Sequence, residues 1–137
     1  MGEVQGLITQ TSEHDVDETV RRFRAAAEAA GLRIFADIDH GRGAADAGMA
    51  LRPTRLLVFG HPRGGTPLMQ LGQTIGIDLP LRILVWEDEN GTTRIAHPDP
   101  RALAERHGLG AASRPVTDAI AQGMTQLLAA ATRSGPG

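Results

Sequence analysis

The strongest constraint in the sequence is a pair of short apolar runs, RLLVFG over residues 55–60 and LRILVW over residues 81–86. Few polar residues interrupt either run, and this pattern is typical of strands that are covered on both faces. Asn90-Gly91, a strong signal for a tight hairpin, follows the second run. We therefore predict two central strands of one sheet, with residues 92–96 pairing antiparallel to the second strand.

Local patterns predict the remaining elements. Asp15 followed by Glu18 is typical of a helix N-cap with an acidic third position, and apolar residues then recur at helical spacing. Two further strands are expected over residues 3–11 and 32–39. Helices are expected over residues 15–30 and 43–49, from Pro67 after a Thr66 cap, from Asp99, and over residues 115–132.

Size and composition exclude several classes of protein. The chain has 137 residues, enough for one domain with its own core. It contains no cysteine, so disulfides and thiolate metal sites are excluded. The net charge of −2 and the 3% aromatic content disfavour a nucleic-acid partner. No apolar segment is long enough to cross a membrane, and residues 1–10 do not resemble a signal peptide, so we expect a cytoplasmic protein.

Several ordered motifs resemble one known family. They are IFADIDH at residues 34–40, LRPTRLLVFG at 51–60, GTPLMQ at 65–70, GIDLPLR at 76–82 and WED at 86–88. Together they resemble domain-of-unknown-function family 302 from about Gly6 to Gly108. Residues 109–137, a linker and an amphipathic helix, lie outside this resemblance and are expected to complete the same domain.

The resemblance implies an α+β fold of two layers, in which helices pack on one face of a mixed sheet. It also implies pairing into homodimers, and it implies no reaction, because the family has no agreed activity. His61 departs from the family pattern, which usually has Asn in the turn after the second motif. This difference is either neutral or a source of chemistry particular to this chain.

Polar side chains stand where the predicted strands end. If the strands that end near residues 39, 60 and 86 are parallel, their carboxyl ends gather these side chains at one edge, where ligands bind in open α/β sheets. If either connection returns antiparallel, the group splits between two edges. The side chains in question are Asp37, Asp39, His40, His61, Glu87 and Asp88.

Asp37, Asp39 and His40 form the richest local signal. Asp37 and Asp39 share one strand face, and a neighbouring histidine could complete an acid/base group or a divalent-metal site. The plainer alternative is that Asp39 and His40 cap the following turn. The chain has no standard zinc motif, and no metal or cofactor is expected.

Binding residues are expected from the arginines and large apolar side chains beside this group. Arg52 and Arg82 could clamp a carboxylate or phosphate, or could pair with Asp78 and Glu87 instead. Phe59, Met69 and Trp86 could line a pocket, although core packing is the commoner role of such residues. The glycine-rich segment at residues 60–66 lacks the spacing and the lysine of a phosphate-binding loop.

Three functions remain open on this sequence. The first is a homodimer that binds or senses a small molecule in a pocket with His40, Arg52 and His61 as its polar ends. The second is a small acid/base enzyme without cofactor, an isomerase, cyclase or hydrolase, in which His40 is the base and Asp37 or Asp39 tunes it. The third is an interaction module without a pocket.

Overall fold

The computed structural model describes residues 4–134. The five strands are β1 (Leu7–Thr11), β2 (Arg33–Asp39), β3 (Thr54–Gly60), β4 (Leu81–Glu87) and β5 (Thr93–Pro98). The five α-helices are α1 (Val16–Ala29), α2 (His40–Asp46), α3 (Pro62–Leu71), α4 (Pro100–Arg106) and α5 (Arg114–Thr132). Two 3₁₀ helices, Gln73–Asp78 and Ala111–Ser113, precede β4 and α5.

The strands form one sheet in the order β1-β5-β4-β3-β2, and every neighbouring pair is antiparallel. The α+β class with helices on one face is therefore confirmed, but the expectation of a mixed sheet is wrong. Connections of about fifteen residues permit either strand direction. Here α2 and α3 lie within the two connections, and each connection returns to the adjacent strand in the opposite direction.

Helix starts depend on side-chain caps. Asp15 Oδ1 accepts a hydrogen bond from Glu18 N at 2.8 Å, which confirms the predicted start of α1. The predicted start of α3 at Pro67 is wrong. His61 Nδ1 accepts from Arg63 N at 3.1 Å and caps the helix one turn earlier, so that Pro67 lies inside α3.

The core lies between the sheet and two long helices. α1 and α5 pack over one face of β3, β4 and β5, and Phe23 of α1 meets Phe59 of β3 edge-to-face with ring centroids 5.0 Å apart. Such an aromatic pair contributes about 0.5–1.5 kcal/mol beyond its buried area. A smaller cluster of Leu68, Ile75, Ala104 and Leu109 joins α3, the first 3₁₀ helix and α4.

The opposite face of the sheet carries a second set of apolar side chains. We call it the open face and define it by Ile38, Leu56, Val58, Leu84 and Trp86. In residues 4–134 none of these five belongs to either buried cluster, and all remain half-buried or exposed. The prediction that the two central strands are covered on both faces is thus met on one face only.

Replacing Phe23 with alanine is expected to destabilise the fold by about 3–5 kcal/mol, because the cavity beneath α1 cannot close. Phe35→Ala is the matched control, since that ring is 50% exposed whereas Phe23 is fully buried. Urea unfolding gives both free energies. Equal losses for the two variants would contradict this account of the core.

Candidate functional site

A pocket of about 230 Å³ opens at the end of the sheet where β3 finishes. Its walls come from β2, the end of β3, α3, the first 3₁₀ helix with the turn after it, β4 and α5. The lining residues are Phe35, Gly60, His61, Pro62, Gly64, Gly65, Thr66, Met69, Gly76, Leu79, Pro80, Leu81 and Ile120.

Glycines create the room in this pocket. A Cβ at Gly65 would lie 3.4 Å from Leu79 Cδ1, and one at Gly76 would lie 3.2 Å from Met69 Sδ. The earlier start of α3 at Pro62 carries Gly64 and Gly65 to the pocket wall. A bulkier residue at position 65 or 76 would therefore occupy space that the pocket now leaves open.

The pocket surface is almost wholly apolar. His61 and Thr66 carry the polar side-chain atoms of the lining, and both residues are exposed. Because Nδ1 of His61 already accepts from the α3 backbone, Nε2 is the ring nitrogen left for another molecule. The arrangement suits an apolar compound that carries one or two polar atoms at its outer end.

Only two of the sequence-predicted site residues, His61 and Met69, line this pocket. Phe59 is fully buried against Phe23, and Arg82 and Trp86 belong to the opposite face of the sheet. Sequence reasoning missed the other walls of the pocket, which include Phe35, Leu79 and Ile120. These apolar residues look like ordinary core residues in the sequence, and no local motif marks them as pocket residues.

Asp37 is engaged in ion pairs. Its Oδ2 accepts from Arg24 Nη1 at 2.8 Å and from Arg55 Nη2 at 2.6 Å. Arg24 belongs to α1 and Arg55 to β3, so two elements beyond β2 hold this carboxylate. Arg55 also donates to Asp17 of α1. Asp37 Oδ1 is buried without a hydrogen-bond partner. Asp37 is therefore held in a structural network of charge-assisted hydrogen bonds.

Asp39, His40 and Arg52 lie at the end of the sheet opposite the pocket. Asp39 Oδ1 accepts from Arg42 N at 2.9 Å and caps α2, which is the plainer of the two roles open to it. His40 is the exposed first residue of α2. Arg52 Nε donates to the backbone oxygen of Glu87 at 3.2 Å.

The polar group therefore splits, as it must in an antiparallel sheet. Asp39 pairs in register with Arg55, at the end of β3 opposite Gly60 and His61. Glu87 and Asp88 lie with Asp39, at the end of β4. Asp88 accepts from the backbone of Asn90 and Thr92 and from Arg94 Nε, and these hydrogen bonds, led by Arg94, lower its pKa.

A second polar cluster, the Asp78 cluster, joins the first 3₁₀ helix to the end of α4. Asp78 Oδ2 lies 2.6 Å from His107 Nε2, and Arg106 Nη1 donates to both carboxylate oxygens at 3.0 Å. Thr74 Oγ1 lies 2.9 Å from His107 Nδ1. The hydrogen bond from His107, aided by the charge of Arg106, lowers the pKa of Asp78 against the opposing effect of burial.

This cluster was not predictable from local sequence patterns, because about thirty residues separate its two halves. His107 is the C-cap residue of α4. Its contact with Thr74 and Asp78 depends on how α4 packs against the 3₁₀ helix. Local sequence does not specify that packing.

The fold and site define a small α+β domain with an apolar pocket at one end of an antiparallel sheet. A family model described as "Domain of unknown function DUF302" matches residues 8–131, and the chain belongs to this family. The match extends into α5 as far as residue 131, beyond the sequence resemblance, which ended at about Gly108. A crystal structure of an uncharacterised conserved DUF302 protein from Bacillus stearothermophilus superposes with a TM-score of 0.83 at 19% identity. It covers 95% of this chain and 100% of that one.

The curated relatives are named as ion channels and not as proteins of unknown function. The chain is 47% identical over 118 residues to "Fluoride-specific ion channel FluC 1" of Brucella suis, and equally so to the protein of that name in Brucella abortus. The match covers 86% of this chain but only 46% and 44% of those proteins. This chain thus spans less than half the length of the curated relatives it matches.

Two absences within residues 4–134 concern membrane and metal binding. No helix there is both long and apolar enough to cross a membrane. The same residues contain no group of three or more histidine or acidic side chains placed to hold a metal ion.

Asp78 is expected to stabilise the fold mainly above its ordinary pKa of 3.8, because its pKa is lowered in the folded state. That stabilisation is lost as the pH falls through the lowered value. The difference in unfolding free energy between the wild type and Asp78→Asn should be largest at neutral pH and shrink in acid. Asp118→Asn, at an exposed ion pair with Arg101, is the control. A difference that stays constant with pH would contradict this account.

Proposed function

We propose that this domain binds a small, largely apolar molecule in the pocket beside His61 and acts as a homodimer. The observation that carries the ligand proposal is the pocket itself, about 230 Å³ of space lined almost entirely by apolar atoms. Small-molecule sites combine such a lining with a few placed polar groups. His61 and Thr66 are the polar groups available here.

The pocket volume limits the size of the ligand. An engineered apolar cavity of about 150 Å³ accommodates benzene. A volume of about 230 Å³ therefore suits a molecule somewhat larger than benzene, such as a bicyclic aromatic compound or a short branched acyl chain. One hydroxyl or carboxylate on that molecule would meet Nε2 of His61 at the pocket mouth.

1-Naphthol is the probe we choose, and wild-type protein is expected to bind it in a calorimetric titration. Gly65→Leu should weaken binding about tenfold or more, because the new side chain fills the pocket next to Leu79 and overpacking costs about 1–3 kcal/mol. Gly43→Leu, in the helix α2 with nothing within 4 Å of an added Cβ, is the matched control. No binding by wild type, or equal binding by both variants, would sink the proposal.

The homodimer proposal rests on the open face of the sheet. β3 and β4 have the near-continuous apolar pattern of strands covered on both faces, yet the helices cover one. A second copy of this chain supplies the missing cover, because an apolar face is complementary to itself in a two-fold dimer. Arg82 and Arg94 on the same face have carboxylate partners in Asp78 and Asp88, so the face carries paired charge.

Leu84→Glu is expected to raise the dimer dissociation constant about 100-fold or more, since each protomer would bury an unpaired carboxylate in the interface. Leu84 pairs with Leu56 at the centre of the open face. Leu71→Glu is the control, at a side chain 44% exposed at the end of α3. Sedimentation equilibrium measures both. A monomeric wild type, or a dimer that Leu84→Glu leaves intact, would contradict the proposal.

The acid/base enzyme built on His40 has less support. Asp37 is held by two arginines, Asp39 caps α2, and His40 is exposed at the other end of the sheet from the pocket. A general base has to reach a bound substrate within hydrogen-bonding distance. These three residues contribute no side chain to the pocket lining.

The relatives named as fluoride channels suggest a partner for the domain and not the ligand of its pocket. A small, strongly hydrated anion needs several N–H or O–H donors, and the lining has few. We propose that any role in fluoride transport runs through association of the dimer with such a channel. Fluoride added to the isolated domain should then leave the amide resonances of residues 60–66 unchanged, whereas 1-naphthol should shift them.

A further inference from the structure

We propose that Thr74, His107 and Asp78 form a nucleophilic relay that accepts an acyl group from a small activated ester. The arrangement is linear: Thr74 Oγ1 lies 2.9 Å from His107 Nδ1, and His107 Nε2 lies 2.6 Å from Asp78 Oδ2. A hydroxyl, a base and a group that orients the base are the parts of an activated nucleophile. This inference does not depend on a ligand in the pocket beside His61, because none of the three side chains lines it.

The carboxylate decides which nitrogen of His107 is basic. An ionised carboxylate only accepts hydrogen bonds, so the neutral ring places its proton on Nε2, facing Asp78. The lone pair on Nδ1 then points to Thr74 and accepts from its hydroxyl. Arg106 donates to both oxygens of Asp78 and holds it in the ionised form, which fixes this tautomer.

The two ends of the relay differ in their exposure to solvent. The side chains of His107 and Asp78 are only 8% and 10% exposed, so packing holds the ring and the carboxylate. Thr74 is exposed at the start of its 3₁₀ helix, where a reagent can reach the hydroxyl. The base is therefore fixed while the nucleophile is accessible.

The chemical step balances without any other reactant. Thr74 Oγ1 forms a bond to the carbonyl carbon of the ester, and the bond from that carbon to the leaving oxygen breaks. The hydroxyl proton passes to His107 Nδ1 and then to the leaving alcohol. The product is an ester on Thr74, which water can hydrolyse with His107 again acting as base.

The chain offers an unusually clean background for testing this step, because it contains no lysine. Lysine amines are the usual competitors for acylation, and here the α-amino group is the main amine. The experiment treats the protein with p-nitrophenyl acetate and locates acetyl groups by peptide mass spectrometry. Thr125, exposed on α5 and hydrogen-bonded to its own helix backbone, is the internal control residue.

Acetylation is expected at Thr74 and not at Thr125. Thr74→Ser should retain the reaction and Thr74→Val should lose it. His107→Gln should slow acetylation at position 74 about 100-fold or more, the usual contribution of a general base. Thr74→Val changes one exposed side chain, so it tests the relay even if His107→Gln fails to fold. No acetyl group on Thr74, equal labelling of Thr125, or unchanged labelling in folded His107→Gln would overturn the proposal.

Discussion

The rest of the structure depends on one imbalance, namely that the central strands are apolar on both faces and the helices cover one. Phe23 and Phe59 pack at the middle of the covered side, between α1 and the sheet. Alternation along a strand sends Leu57 and Phe59 into this core and Leu56 and Val58 away from it. Burial of the first pair stabilises the fold, whereas the second pair stays half-buried within residues 4–134.

The pocket arises because the first turns of α3 lack side chains that could fill the space at the end of the sheet. His61 caps α3 immediately after β3, so the first turns of the helix contain Gly64 and Gly65. Residues without side chains cannot fill the space between α3, Leu79 and Ile120. A helix beginning at Pro67, as local sequence favoured, would have left these glycines in a turn. One histidine side chain thus positions both the helix and the mouth of the pocket.

Sequence predicted the elements whose signals are local and failed where contacts are distant. The Asp15 cap, the helix predicted from Asp99 and the Asn90-Gly91 hairpin were confirmed because each depends on a few neighbouring residues. Strand direction was not predictable, since a connection long enough to cross over is also long enough to return. Asp37 shows the same limit in the candidate site, because its partners Arg24 and Arg55 are defined only once α1 packs on the sheet.

The first 3₁₀ helix connects the pocket beside His61 to the Asp78 cluster. Gly76 lies in the pocket wall, while Thr74 and Asp78 of the same short helix bond to the end of α4. The ion pair between Asp78 and Arg106 therefore holds the pocket wall as well as the carboxylate. This helix of six residues contributes to both the pocket wall and the Asp78 cluster. A substitution that weakens the contacts of Asp78 is therefore expected to move the backbone of the pocket wall. A substitution confined to the exposed Thr74 hydroxyl is not.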